Sequence, residues 1–332
     1  MNMMKKVILV SLICVFFYIV GCDDSGVTPV PTATGRVSLT QTNLKPLDQN
    51  TDGIYQLWLK FDSGAPTWVS LGRFNINGTG GIVSESGGTV NFDLGVDTGR
   101  FLKLSIAVIS IEAPGMNNPF PNSTHILASV LTASNFLIDS VVAKLTMSDP
   151  NALGAAGRVV TESYGVGLYY LQTPSNSNAS CNKGLWLCDT SGVPSMTDTL
   201  NLSEGMGWYY KLWVINNLTN TFYPAGNFLS VNAPDSDGAG PCSGPGSGLN
   251  APGQDFIQAD SVCPNIGSLY DGNHGVFITL EPMTRTSYAN PFFLRIYDQN
   301  LIANALGCFR ADNLFKQYFR MPYARIRISR SR

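Results

Sequence analysis

Residues 53–62 read GIYQLWLKFD, and residues 207–216 read GWYYKLWVIN. Tyr55-x-Leu57-Trp58 in the first is matched by Tyr210-x-Leu212-Trp213 in the second. Ile54, Gln56, Trp58 and Lys60 fall on one side of an extended chain, and Tyr55, Leu57, Leu59 and Phe61 on the other. That alternation predicts a strand. Outward from it the two stretches keep matching. Gly72-x-Phe74 pairs with Gly226-x-Phe228, Ile111-Glu112 with Leu280-Glu281, and Asn118-Pro119-Phe120 with Asn290-Pro291-Phe292. One unit therefore occurs twice in the same order. Leu104–Ile111 is a continuous apolar run of strand length, and Asn77-Gly78 and Gly87-Gly88 are turn formers.

Short strands with frequent turns predict an all-β fold: two tandem antiparallel β-sandwich-like domains. The first is expected over residues 36–150 and the second over 151–332, with the boundary in PNALGAAGR (150–158). The second copy carries a Cys- and Gly-rich insertion, residues 235–271.

Composition agrees. Of 332 residues only 13% are charged, while 44% are hydrophobic and 33 are glycine. A globular domain usually carries about 25% charge, and the apolar fraction is ample for a core, so most of the chain is not disordered. Abundant Gly, Asn, Ser and Thr disfavours helix. A net charge of −2 excludes a globally basic nucleic-acid binder, and two histidines, His125 and His274, leave little material for His-based catalysis.

Lys5 and Lys6 precede the apolar run Val7–Val20. As a helix this run would rise about 21 Å, short of a ~30 Å hydrocarbon core. It reads as a signal-peptide core, residues 1–21. The run closes on Ile19-Val20-Gly21-Cys22, which resembles a bacterial lipobox. The resemblance implies cleavage before Cys22 and acylation of its sulfur and amine, with palmitate-type chains as the membrane anchor. The cell envelope is then the expected location. Asp23 and Asp24 resemble an inner-membrane retention signal in enteric bacteria and a surface-export signal in Bacteroidetes-like bacteria, so the leaflet stays open. Residues 22–35, the lipidated Cys and a Pro/Thr-rich stretch, are expected to form a flexible tether.

The repeated unit, YQLWL with SLGRFNINGTG and SIEAPGMNNPFPNSTHILAS, resembles the extracytoplasmic domain of anti-sigma-K factors. The similarity covers residues ~53–130 and ~207–298 and rests on core aromatics and turns. The cytoplasmic helical segment and transmembrane helix through which an anti-sigma factor works have no counterpart here, so direct sigma-factor inhibition does not carry over. The expected role is a lipid-anchored, non-enzymatic envelope protein that binds, senses or supports structure, with an unknown envelope protein or polymer as partner. The alternatives are an accessory of an anti-sigma-type signalling system and, less favoured, a polysaccharide-acting enzyme.

Cys181, Cys188, Cys242 and Cys263 are candidate disulfide cysteines, since an exported chain meets oxidising conditions. Cys181 with Cys188 and Cys242 with Cys263 are the pairings considered, and Cys308 is the first alternative partner. No cofactor is expected beyond the lipid. Asp235-Ser236-Asp237-Gly238 opens like a calcium loop, but Gly246 stands where an EF-type loop needs its acidic twelfth residue. A plain turn is preferred at Asp235 and Asp237. Glu112 and Glu281 read as hydrogen-bonded strand-end carboxylates in separate domains. Trp58 and Trp213 read as core, while Trp68 and Trp208 are free to be exposed and to stack on a ligand. No catalytic motif occurs. Residues 310–332 carry seven cations and Asp312 alone. Arg325-Ile326-Arg327-Ile328 reads as an edge strand with its arginines in solvent.

Overall fold

The computed structural model describes residues 32–330, except 66, 133–135, 138–139, 163, 177–180, 199, 301 and 303–310. The signal segment 1–21, Cys22, the tether up to residue 31, and Cys308 lie outside the described residues.

The fold is all-β. In chain order the strands of the first half are β1 (Thr32–Thr42), β2 (Ile54–Phe61), β3 (Trp68–Ile76), β4 (Ile82–Val83), β5 (Phe92–Asp97), β6 (Leu104–Glu112), β7 (His125–Val130), β8 (Phe136–Leu137) and β9 (Ser140–Thr146). Those of the second are β10 (Val166–Tyr170), β11 (Gly184–Trp186), β12 (Trp208–Asn216), β13 (Thr221–Phe228), β14 (Gly253–Asp255), β15 (His274–Pro282), β16 (Arg295–Gln299), β17 (Ala311–Lys316) and β18 (Tyr323–Arg330). Two short helices, α1 (Thr98–Phe101) and α2 (Gly154–Glu162), interrupt them. The first sheet runs β4-β3-β2-β6-β7-β9-β18-β1-β5, with β8 beside β9, and the second runs β13-β12-β15-β16-β17-β10-β11-β14. Neighbouring strands pair antiparallel in both.

The repeat is visible in topology and in register. Strands β3-β2-β6-β7 of the first sheet have the same order as β13-β12-β15-β16 of the second. Tyr55 faces Ile111 and Tyr210 faces Leu280, while Trp58 faces Val108 and Trp213 faces Phe277. Each pair β2–β3 and β12–β13 breaks register at one place, beside Gly72 and Gly226. Those glycines have φ of 134° and 121°, conformations that side chains disfavour.

Both faces of the repeated strands are covered. Tyr55, Leu57, Leu59 and Phe61 enter the main core, which is continuous with Tyr210, Leu212 and Val214 of the second sheet. Trp58 packs on the other face with Val108 and Ala128, and Trp213 does the same with Ile215 and Phe277. Trp58 is 1% exposed and Trp213 is fully buried, at equivalent positions.

Four expectations need correction. The second domain does not extend to residue 332 as one block, because β18 sits inside the first sheet between β9 and β1. For the same reason it is not an edge strand. Ala324, Ile326 and Ile328 are buried and Arg325 and Arg327 exposed, so alternation held while its context differed. The tether is shorter than expected, since residues 32–35 already belong to β1. The loop match also slips. The backbone N–H that reaches Glu281 is from Phe292, and the one that reaches Glu112 is from Asn122, not Phe120. The stretch 150–158 is a turn leading into α2.

Candidate functional site

Each unit carries a relay from a buried indole to a buried carboxylate. Trp58 Nε1 donates to Ser110 Oγ at 2.9 Å, and Ser110 Oγ donates to Glu112 Oε1 at 2.5 Å. In the second unit Trp213 Nε1 donates to Thr279 Oγ1 at 2.9 Å, and Thr279 donates to Glu281 Oε1 at 2.5 Å. Both glutamates are fully buried. They differ in what completes them. Glu112 takes the amide of Asn118 at 3.4 Å, while Glu281 is ion-paired with Arg285. Arg285 also binds Asp52 Oδ1 at 2.8 Å, and Thr286 N donates to Thr51 O at 2.8 Å, so this loop joins the two units. These carboxyl groups are anchors of loops, their buried oxygens met by hydroxyl, amide and backbone donors and, at Glu281, by a guanidinium.

The units part company in the insertion, which has no counterpart in the first. It is bridged by Cys242–Cys263, with Cα atoms 5.3 Å apart. More than the disulfide orders it. Strand β14 joins the sheet through β11, and Asp255, fully buried, accepts Ser175 N at 2.8 Å, Ser175 Oγ at 2.6 Å and Trp186 Nε1 at 3.1 Å. Sequence reading missed Asp255 as an anchor; its partners are 80 and 69 residues away.

Asp235 turns back onto β13. Its Oδ2 accepts Gly253 N at 3.0 Å and its Oδ1 accepts Asp237 N at 3.3 Å. A Cβ built on Gly226 would lie 1.8 Å from Asp235 Oδ2, so the glycine of the register break also makes room for this carboxyl. Among the described residues no group of three or more His, Cys, Asp or Glu could hold a metal ion. The turn reading fits Asp235 and Asp237 as placed, because both oxygens of Asp235 already accept backbone N–H groups.

Two cavities adjoin here and share Asn227. One, about 550 Å³, is lined by Tyr209, Phe228, Leu229, Asp235, Met283 and Tyr288. The other, about 320 Å³, lies between β12, β13 and the bridged loop, and its lining includes Lys211, Tyr223, Asp237 and Phe256. Met283 and Tyr288 are exposed at 48% and 40%, which gives the first cavity an apolar rim. Both volumes fall in or near the range of small-ligand sites.

Burial pushes the Asp235 carboxyl up to about 8; the Gly253 N–H opposes this and the neighbouring Asp237 adds to it. An unfolded Asp titrates near ~3.9. The folded chain thus holds the proton more tightly, so stability from this site is complete below about pH 4 and is lost as pH rises through about 8. Asp255 and Asp298, also raised by burial, act in the same direction. Asp235→Asn keeps the shape and removes the titration. Its unfolding midpoint should fall less than wild type's between about pH 5 and pH 9, by an amount on the order of a few kcal/mol at most. Equal slopes for the two proteins would show that Asp235 does not titrate this way.

The remaining sequence candidates are placed as follows. Cys188 is free, buried and packed against Tyr170, Trp186, Ala239 and Ala251, and burial pushes its thiol up to about 12. Cys181 is disulfide-bonded, but not to Cys188, which corrects that pairing. Trp208 is fully buried against Phe292 rather than exposed. Trp68 is half-buried and lines a groove with Pro119, Phe120 and His125. His125 Nδ1 lies 2.6 Å from Asn151 O, and burial lowers its pKa. His274 opens β15 with Nδ1 2.8 Å from Asp271 Oδ1. Among the described residues no helix is long and apolar enough to cross a membrane.

Comparison with protein-family models, with curated proteins and with solved structures finds no match.

Proposed function

We propose that the protein is a lipid-anchored, non-enzymatic binding protein of the bacterial cell envelope, tethered through Cys22, whose second unit carries the ligand site. One observation carries the binding part. The two units share strand order, register and the indole–carboxylate relay, yet only the second has the bridged insertion, and two adjoining cavities lie where that insertion meets β12 and β13. A scaffold kept constant while one copy gains a walled cleft fits recognition better than bulk support. The anchor rests on the basic pair, the short apolar run and Gly21-Cys22. The resemblance to extracytoplasmic anti-sigma domains agrees with a role facing away from the cytoplasm.

The test begins with protein extracted from membranes. Intact mass should show a chain starting at Cys22 with acyl mass, and Cys22→Ala should move the protein to the soluble fraction. An unmodified start at another residue would overturn the anchor. Native mass spectrometry of the same preparation should show a retained small molecule, lost when residues 235–271 are replaced by a short turn. Retention that is indifferent to this replacement would overturn the assignment of the site.

A further inference from the structure

Gln56 and Lys211 hold the same position in the two units, directly after Tyr55 and Tyr210. In the first unit the polar group is closed by its neighbours. Gln56 Nε2 donates to Ser70 Oγ at 2.7 Å, and its Oε1 accepts Arg73 Nε at 3.3 Å. In the second unit the group is an ammonium, in a residue only 5% exposed. Its Nζ stands 4.5 Å from the ring centroid of Trp213 and 5.1 Å from that of Tyr288. It makes no hydrogen bond or ion pair with any described residue. The side chain faces the cavity of about 320 Å³.

Lys316 shows how the same fold treats a buried lysine with a structural role. It too is 5% exposed, but it pairs with Asp198 at 2.8 Å and donates to Val159 O. The Lys211 ammonium instead opens onto the cavity, and its N–H donors have no acceptor among the described residues. Lys211 is placed for an acceptor that arrives from outside.

We propose that this cavity takes a small aldehyde with an apolar body, which Lys211 captures as an imine. The proposal rests on the reading of the second unit as a ligand site. The charges around Lys211 select against an anion. Asp237 lines the cavity, and Glu281 also acts on the ammonium, against the single cation Arg285. A neutral carbonyl oxygen satisfies the donors without adding a further negative charge. The apolar lining, which includes Pro224, Phe256, Val262 and Pro264, suits the rest of such a molecule. Burial lowers the Lys211 pKa, the charges of Glu281 and Asp237 oppose this, and Arg285 adds to it. More of this amine is therefore neutral near pH 7 than of an exposed lysine.

The step balances without a further reactant. The Nζ lone pair bonds to the carbonyl carbon, and the carbonyl π pair moves to oxygen. The two amine protons pass to that oxygen, the C–O bond breaks as water leaves, and the nitrogen lone pair closes C=N.

The full chain should be treated with benzaldehyde and sodium cyanoborohydride, and the benzylated lysines mapped by peptide mass spectrometry. Lys211 should carry more label than Lys45, Lys60, Lys103, Lys144, Lys183 and Lys316 together. Lys211→Gln, which restores the residue of the first unit, should lose that share and leave the rest unchanged. Oxidised dextran, whose aldehydes are carried on a polymer too large for a cavity of about 320 Å³, should label the exposed lysines without preferring Lys211. Label spread over Lys45, Lys103 and Lys144, with Lys211 as slow as Lys316, would overturn the proposal, and so would equal preference for the large aldehyde. A small molecule retained in native mass spectra beside an unreactive Lys211 would overturn the imine alone and leave the ligand site standing.

Discussion

Deleting residues 322–332 is expected to unfold the first sheet. Strand β18 pairs with β1 from Gly35–Arg330 to Thr42–Tyr323, and with β9 from Tyr323–Thr146 to Ser329–Ser140. Its loss opens two ladders at once in the middle of a sheet and strands their backbone groups. It also empties the space of Ala324, Ile326 and Ile328, all fully buried. Truncating one buried Ile typically costs about 2–5 kcal/mol, and a whole stability is about 5–15 kcal/mol. Hydrogen exchange should show the amides of β1 and β9 fully open, while β12 and β15, whose sheet contains no part of β18, keep more protection. Protected β1 amides in the deleted protein would refute the dependence. Exchanging Arg325 and Arg327 for Gln, by contrast, should change stability by no more than about 0.5 kcal/mol, because both side chains point to solvent.

Trp213→Ala should be the most damaging single substitution in the second unit, at about 3–5 kcal/mol for the lost indole. The indole stacks on Phe277 at 6.3 Å between ring centroids and meets Phe222 edge-on at 6.5 Å. It also holds the hydroxyl of Thr279, which in turn holds Glu281. Trp213→Phe keeps most of the packing and removes the N–H, so the difference between the variants reads the relay alone, about 1–3 kcal/mol if the hydroxyl is left unsatisfied. Trp58→Ala should cost a similar amount in the first unit, through Ser110 and Glu112. Denaturant midpoints measure all three. A Trp213→Phe protein as stable as wild type would mean that the relay contributes nothing.

These aromatic positions were legible in the sequence because a Tyr-x-Leu-Trp strand repeats with its register partners, Ile111-Glu112 and Leu280-Glu281. Pattern and packing point the same way there. The Asn-Pro-Phe match was misleading because a loop has no period to hold it. The two loops reach their glutamates with Asn122 and Phe292, residues of different type in the same role. The place of β18 was hidden for a different reason. Alternation tells which side chains of Arg325–Ile328 are buried, but it does not say which strands lie on either side. In the insertion Cys242–Cys263 was one of two pairings that the sequence suggested, the other, Cys181–Cys188, not being formed, whereas Asp255 gave no signal as an anchor, since its partners come from Ser175 and Trp186. Lys211 gave no signal by itself. It stands out only beside Gln56, once both are seen at one position with opposite surroundings.

The pairing of Gly35 with Arg330 bears on the order in which the chain can become structured. Strands β10 to β17 all belong to one sheet and lie together between residues 166 and 316, so its ladders need no strand from outside that stretch of chain. The first sheet has its strands β1 to β9 made early but cannot close until residues 323–330 exist. Contacts of such long sequence separation form slowly, because the loop-closure entropy comes due before the contact is made. During synthesis β1 and β9 therefore wait as unpaired edges while 280 residues (43–322) follow β1 and 176 (147–322) follow β9. The exposed Lys144 side chain on β9 is the kind of feature that keeps a waiting edge from pairing with a neighbour.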